Sequence, residues 1–352
     1  MAKLGEYEQQ SLAYLWHEIN RAVRLALAWP VPNSDIPLIR DAFHPAMLSK
    51  LMLLNGEIAH TVSNPTERAF FHTALFAILE NCSRAQKAGG WLRLGPEAPP
   101  ETVLMRSFNA QVKRMLADAP SRRVLQAGHW SVAVGDARTH IAPMEVAGVI
   151  SSPPYLNRHD YTRIFCLELA LGFVSGQEEL KALRYGSLRS HVEARGNAGN
   201  PDYRMPDRLA ALLPVLVDRG INDSRLLRMI TGYFEDMHAT LLAIKASLVP
   251  GGFVALVLGN SRFSGVTIPV DEIVAEIGEQ IGLTWSATWV ARHRGNSAQQ
   301  MASYGRAPSR ESVILWTNDG CNCISTPIRG RAACTSRSCA TCSACCGTGR
   351  SD

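Results

Sequence analysis

Two short runs contain no polar residue: Val146-Ala-Gly-Val-Ile150, which stops at Ser151-Ser152-Pro153-Pro154, and Phe253-Val-Ala-Leu-Val-Leu258, entered from Pro250-Gly251-Gly252 and left through Gly259-Asn260. A strand that is apolar on both faces predicts a sheet covered on both faces. Helical spacing fills the interval: one helix from about Tyr161, with Ile164, Leu167 and Leu171 on one side, and a second from about Asp223 to Val249, with Leu226, Ile230, Phe234, Met237 and Leu241 in phase. Another helix is expected over 271–281, then strands over 284–290 and 312–316. A shorter β-branched run, Trp130-Ser-Val-Ala-Val134, precedes the first apolar strand and leads into Gly135-Asp136. Apolar strands alternating with helices predict an α/β fold with a mainly parallel sheet. In such sheets ligands bind just beyond the carboxyl ends of the strands.

The first 120 residues read as helices instead. Leu12, Leu15, Trp16, Ile19, Val23 and Leu27 recur at helical spacing over 7–29, and Pro30 to Asp35 ends that helix. Further helices are expected over 45–55, 65–82 and 103–116, separated by Gly89-Gly90 and by Pro96 to Pro100. With 46% hydrophobic and 19% charged residues, the chain is neither disordered throughout, collagen-like nor a coiled coil. No window approaches the roughly 18 consecutive apolar residues of a membrane span. The first residues carry Glu6 and Glu8 and no apolar core of a signal sequence, so the expected location is the cytoplasm, with no membrane partner. The nine cysteines divide sharply, Cys82 and Cys166 in the body and seven between Cys321 and Cys346. The +5 net charge divides too, since 32 basic and 29 acidic residues lie before Thr317.

A proline pair is unremarkable in composition, yet Pro153-Pro154 falls where the first apolar strand ends. By themselves the residues also fit a rigid turn carrying a core tyrosine. Ser152-Pro153-Pro154-Tyr155 resembles motif IV of the S-adenosylmethionine-dependent amino-methyltransferases that act on exocyclic amines of DNA bases. The Ser-Pro-Pro-Tyr form is that of the cytosine-N4 enzymes, adenine-N6 enzymes more often beginning with Asp or Asn. The resemblance extends over roughly residues 40 to 316. It includes His159-Asp160-Tyr161-Thr-Arg-Ile, Gly259-Asn260-Ser261-Arg262, Arg292-His-Arg294-Gly295-Asn296-Ser297, Tyr304-Gly305-Arg306 and Arg310-Glu311-Ser312-Val313.

The resemblance implies a Rossmann-like class I methyltransferase sheet with a C-terminal antiparallel hairpin and N-terminal helices added. A base amine is a poor nucleophile because its lone pair is delocalised into the ring. Ser152 Oγ and the Pro153 carbonyl would accept its N–H groups and release that pair. The paired prolines, each with φ fixed near −65°, would hold the acceptors in place. Tyr155 would stack on a base rotated out of the duplex. Asp136, after the short strand, would accept from the adenine amine of the cofactor, with Ser151 and Asn260 beside it, although Gly-Asp is also a common turn. The chain has no Pro-Cys dipeptide of the carbon-5 cytosine enzymes.

Arg292, Arg294, Arg306 and Arg310 gather in one loop between the last two strands, with His293 among them and Glu311 adjoining. They read as a phosphate-contacting surface; a solvated basic loop fits them equally. The polar and basic stretch 175–225 reads as an insertion, a second place for target recognition. The expected organisation is a helical segment over 1–120, a catalytic domain over 121–317 and a tail over 318–352.

The family's Gly-rich turn, a strand followed by Asp-Pro-Phe-x-Gly-x-Gly and a helix, is absent. Gly89-Gly90, Gly251-Gly252 and Gly347-x-Gly349 lack that setting. The sheet is thus expected to be incomplete, at about five of seven strands. A truncated product, a half-enzyme completed by a second chain that carries the Gly-rich motif, and a member that no longer binds cofactor all fit. The tail has Cys339-x2-Cys342-x2-Cys345-Cys346 but no His and no aromatic residue, so it reads as an unstructured extension with no metal site. The expected activity is methylation of cytosine N4 in DNA, in a restriction–modification setting. Methylation of an RNA amine, and a catalytically silent DNA-binding subunit, remain as alternatives.

Overall fold

A computed structural model describes residues 9–27, 34–118, 131–196, 200–295, 305 and 308–319. The chain divides into two compact units, Met1–Val134 with His159–Ser187, and Gly135–Arg158 with Leu188–Asp352. The first unit contains α1 (Gln9–Leu25), α2 (Pro37–Ala42), α3 (Pro45–Thr61), α4 (Pro65–Phe76), the strands β1 (Ala85–Ala88) and β2 (Trp91–Leu94), and α5 (Thr102–Asp118). After a passage through the second unit the chain returns to the first as α6 (Tyr161–Ile164), α7 (Cys166–Gly172) and α8 (Gln177–Gly186).

The expected helices of this unit are present because each presents an apolar stripe to one core. Leu12, Ile19, Leu51, Leu54, Phe71, Phe108 and Val112 are fully buried in it. Asn64 caps α4 by accepting from the amides of Thr66 and Glu67, satisfying donors that a helix start leaves open. Gly89-Gly90, expected as a separator, is instead the turn of a hairpin. Gly89 takes φ +63°, and β1 pairs antiparallel with β2 in the register Ala85↔Leu94. Packing assigns 159–187 to these N-terminal helices and not to the domain expected from residue 121, since Cys166, Leu167 and Leu180 are buried in the same core. Among the described residues, no helix is long and apolar enough to cross a membrane.

The second unit holds β3 (Val146–Ser151), α9 (Asp207–Asp218), α10 (Ser224–Ser247), β4 (Leu248–Gly259), the small pair β5 (Ser261–Phe263) and β6 (Val266–Ile268), α11 (Val270–Gln280), β7 (Thr284–Arg294) and β8 (Ser309–Thr317). Four strands form a sheet in the order β3-β4-β8-β7. The β3–β4 pairing is parallel, whereas β4–β8 and β8–β7 are antiparallel. Thus β3, β4 and β7 run one way and β8, inserted between β4 and β7, runs the other. The sheet is mixed, with the expected antiparallel C-terminal pair wedged into it.

Two expectations need correction. No strand forms over 131–134. Val132 and Val134 are exposed there, and a lone extended segment has no ladder to satisfy its amides. Trp130 lies outside the described residues. The sheet is also not buried on both faces. Val254, Leu256, Leu258, Ile314 and Trp316 form the core face beneath α10 and α11. Cross-strand register puts Ile150, Ala255, Leu315 and Ala287 in one row on the opposite face. There Ile150 is 76%, Phe253 43% and Trp289 62% exposed.

Candidate active site

The parallel strands β3 and β4 end side by side, with Ser151 in register with Leu256 and β4 running on to Gly259. The Ser152–Tyr155 loop therefore leaves the sheet at the carboxyl end of β3, next to the end of β4. Pro154, Tyr155 and the residues that follow meet partners from several elements. The Tyr155 ring lies against Gly259, where an added Cβ would stand 3.0 Å from Cδ2 and 3.1 Å from Cε2. Its hydroxyl donates to Glu311 Oε1 at 2.7 Å. The fully buried Tyr233, on α10, donates its hydroxyl to the Pro154 carbonyl at 3.0 Å. Ser261 Oγ, on β5, donates to the Leu156 carbonyl. Arg158 leaves the loop at φ +65°, its amide bonded to the Ser190 carbonyl at 3.1 Å.

These bonds have directions. A carboxylate only accepts, so the Tyr155 hydroxyl must donate to Glu311. Ser152 Oγ stands 3.4 Å from the Tyr155 oxygen and donates to it. The Ser152 oxygen then keeps its lone pairs for an outside donor, as a base amine requires. Ser152 is exposed, and Pro153, Pro154 and Tyr155 are half-buried. The arrangement suits accepting N–H groups from a planar ligand presented beside an aromatic ring.

Glu311 is the residue the sequence pattern did not single out. It lies on β8 in register with Gly259 on one side and Arg292 on the other, and it is buried. Arg292 Nε donates to its second oxygen, and the Glu311 carboxylate holds that guanidinium above its ordinary pKa. Arg292 remains 65% exposed. Only the register of the folded sheet makes this link visible, since Tyr155 and Glu311 are 156 positions apart.

The other expected residues go elsewhere. Arg310 donates to the buried Asp271 at 2.7 Å and to Glu272 at 2.5 Å, so its charge is matched inside the fold. Asp271 also accepts from Ser312 Oγ at 2.6 Å. Burial alone would raise the Asp271 carboxyl, but the bonds from Arg310 and Ser312 outweigh it and leave its pKa lowered. The Asn260 side chain accepts from the Asp271 amide at 3.1 Å, which ties the end of β4 to the start of α11. The side chain of Arg294 and the whole of Arg306 lie outside the described residues, as does the cysteine-rich tail from Gly320.

Asp136 is bound by its own neighbour. Arg138 Nη2 meets it at 2.7 Å and Nε at 2.9 Å, which hold its carboxyl below the usual range. Arg138 continues to Asp236 on α10 at 3.4 Å, and Asp236 takes both the amide and the guanidinium of Arg189 at 2.7 Å. Arg189 also pairs with Glu235 at 2.9 Å, and Gly232 and Gly196 admit it by lacking a Cβ. The residues described thus fit an acceptor amine, at Ser152 to Tyr155. Of the residues expected at S-adenosylmethionine, Asp136 is engaged by Arg138 and Asn260 by α11, Ser151 is exposed at the end of β3, and the Gly-rich turn is absent from the sequence.

The chain is similar to the Type II methyltransferase M.BsoBI of Geobacillus stearothermophilus, with 32% identity over 191 residues, covering 48% of this chain and 37% of that protein. It is likewise 34% identical over 180 residues to the Type II methyltransferase M.AvaI of Nostoc sp. and to that of Anabaena variabilis, with the same shares covered. The chain thus spans well under half the length of the curated relatives it matches. No family model and no solved structure matches it.

Proposed function

We propose that this chain is the amine-activating part of a restriction–modification DNA methyltransferase that moves a methyl group from S-adenosylmethionine to the exocyclic N4 of cytosine. The observation that supports the reading is the Ser152–Tyr155 loop at the carboxyl end of β3, with Ser152 donating toward Tyr155 and so keeping its oxygen lone pairs to accept. In this reading Ser152 Oγ and the Pro153 carbonyl accept the two N–H groups of the base. Tyr155 stacks on the rotated-out ring, and Arg292 contacts a neighbouring phosphate. The likeness to Type II methyltransferases supports the activity and the cofactor. The Ser-Pro-Pro-Tyr form supports cytosine N4 as the acceptor. The enzyme acts in the cytoplasm, on DNA.

The Gly-rich turn missing from this sequence leaves a second reading, an acceptor unit completed by another chain that carries the Gly-rich half. Until completed, such a unit binds DNA without modifying it. Transfer of tritiated methyl from S-adenosylmethionine to duplex DNA decides between the two, run with this chain alone and with the products of its neighbouring genes. Tyr155→Ala serves as the control. Label in N4-methylcytosine, lost in the variant, is the expected result. Label in tRNA but not in DNA would overturn the choice of polymer, and no label under any condition would leave DNA binding as the function.

A further inference from the structure

We propose that Glu311 is a positioning residue for base recognition, fixing the Tyr155 ring in the orientation on which an extruded pyrimidine stacks. This rests on the reading of Tyr155 as the stacking surface. A tyrosine ring at a loop has two side-chain torsions to lose on binding, and a platform set in advance avoids that cost. Three features hold this one. The backbone of the loop is stiffened by Pro153 and Pro154. The Cδ2–Cε2 edge is seated against Gly259, with room only because that residue has no Cβ. The hydroxyl is tethered to Glu311 at 2.7 Å.

Glu311 is itself fixed. It is buried at the start of β8, between Gly259 on β4 and Arg292 on β7, and Arg292 Nε occupies its second oxygen. The residue that seats the ring edge and the one that tethers the hydroxyl are thus cross-strand neighbours, so the sheet sets both ends of the tyrosine at once. Because Arg292 is exposed on β7, and not in the loop expected for it, the carboxylate joins the stacking ring to the arginine proposed to contact phosphate. Glu311 touches neither base nor cofactor; it acts through Tyr155.

The test uses the full chain and needs no methyl donor. A pool of duplexes carries a cytosine at one fixed position, either paired or unpaired, within randomised fully paired flanks, and the bound fraction is sequenced. A protein that stacks an extruded base enriches the unpaired cytosine, because less pairing must be broken. Tyr155→Ala should remove about ten-fold of that enrichment, the scale of an aromatic–base stack. Tyr155→Phe and Glu311→Ala should each remove about three- to five-fold, a part of that stacking contribution. The doubly substituted chain should lose no more than either single one, because both cut the same bond. Glu311→Gln should retain part of the enrichment, since its amide oxygen still accepts from the Tyr155 hydroxyl while its NH2 group can no longer accept from Arg292.

If Glu311→Ala enriches like the parent while Tyr155→Ala does not, the positioning role is wrong and the stacking reading stands. Additive losses in the double variant would overturn the role as well. If the parent shows no enrichment, or Tyr155→Ala keeps it, the stacking reading itself fails and the role falls with it. Thermal unfolding of each variant controls for folding. Should Glu311→Ala unfold, Tyr155→Phe, which deletes a single oxygen, carries the comparison.

Discussion

Replacing Gly278 by alanine sets two physical effects of opposite sign against each other. Gly278 lies near the C-terminal end of α11, and alanine there should stabilise a helix by about 1 kcal/mol relative to glycine. The structure predicts the reverse. A Cβ at 278 would stand 2.3 Å from Trp316 Nε1 and 2.7 Å from Cε2, where ordinary contact begins at 3.4 Å. The indole would have to retreat by about an ångström, yet Trp316 is fully buried beneath α11 and has nowhere open to go. Its Nε1 also donates to the Ala275 carbonyl at 3.4 Å, a bond the shift would break. Overpacking of this kind costs about 1–3 kcal/mol, and the overlap is severe enough to place the change at the upper end. The net expectation is a loss of about 2 kcal/mol after the helix gain is subtracted. Urea unfolding followed by tryptophan fluorescence and by circular dichroism measures it. Trp316→Phe should relieve the overlap, so the double variant should be more stable than the two single losses predict. A Gly278→Ala chain as stable as the parent, or more so, would refute the packing of α11 on β8.

Three further outcomes follow from the same structure. Asp271→Asn should cost about 1–2 kcal/mol at neutral pH, because Arg310 loses its buried partner but keeps Glu272 and is partly exposed. The folded carboxyl of Asp271 has a lowered pKa, so its contribution is complete above the ordinary carboxylate range near 4 and is lost as pH falls through the folded value. The urea midpoints of variant and parent should therefore converge in acid, and a constant gap would contradict the pairing. Gly259→Ala should push the Tyr155 ring aside by a few tenths of an ångström and strain the hydrogen bond to Glu311. The expected sign is a fall in enrichment of unpaired cytosine with little change in melting temperature, and an unchanged enrichment would tell against the ring's seat. Burial pushes the Cys82 thiol up to about 12 and the Cys166 thiol to about 11, so peptide mapping should find both slow to alkylate in the native chain and fast in urea.

Much of the architecture can be read from spacing, because a helix or strand that buries one side must repeat its apolar residues at a fixed period. That is how α1, α3, α5, α10, α11, β4 and β8 announce themselves. The Ser152–Tyr155 loop is legible for a related reason, since Pro-Pro at the end of an apolar run marks a strand's carboxyl end. What stays hidden is any link that crosses strands. Glu311 looks like a counter-ion of the nearby arginines and does pair with Arg292, but only its register with Gly259 shows that it also accepts from Tyr155. Arg310 looks like a phosphate ligand and is instead held by Asp271 and Glu272, acids 38 or more positions away. The segment 131–134 has the composition of a strand, but composition cannot provide the neighbouring strand that a ladder requires.

The row of Ile150, Ala255, Leu315 and Ala287 has a consequence for the chain in solution. Among the described residues β3 pairs only with β4, so one side of its backbone carries amides and carbonyls not joined to another strand, and Ile150 beside them is 76% exposed. Natural proteins blunt such edges with lysine, proline or a bulge; β3 has one irregularity, between Val146 and Gly148, and from Gly148 to Ile150 it carries neither a charge nor a proline. A strand of that kind is a template for another strand. Kept at high concentration, the chain should associate edge to edge, and a lysine at Ile150 should hold it apart.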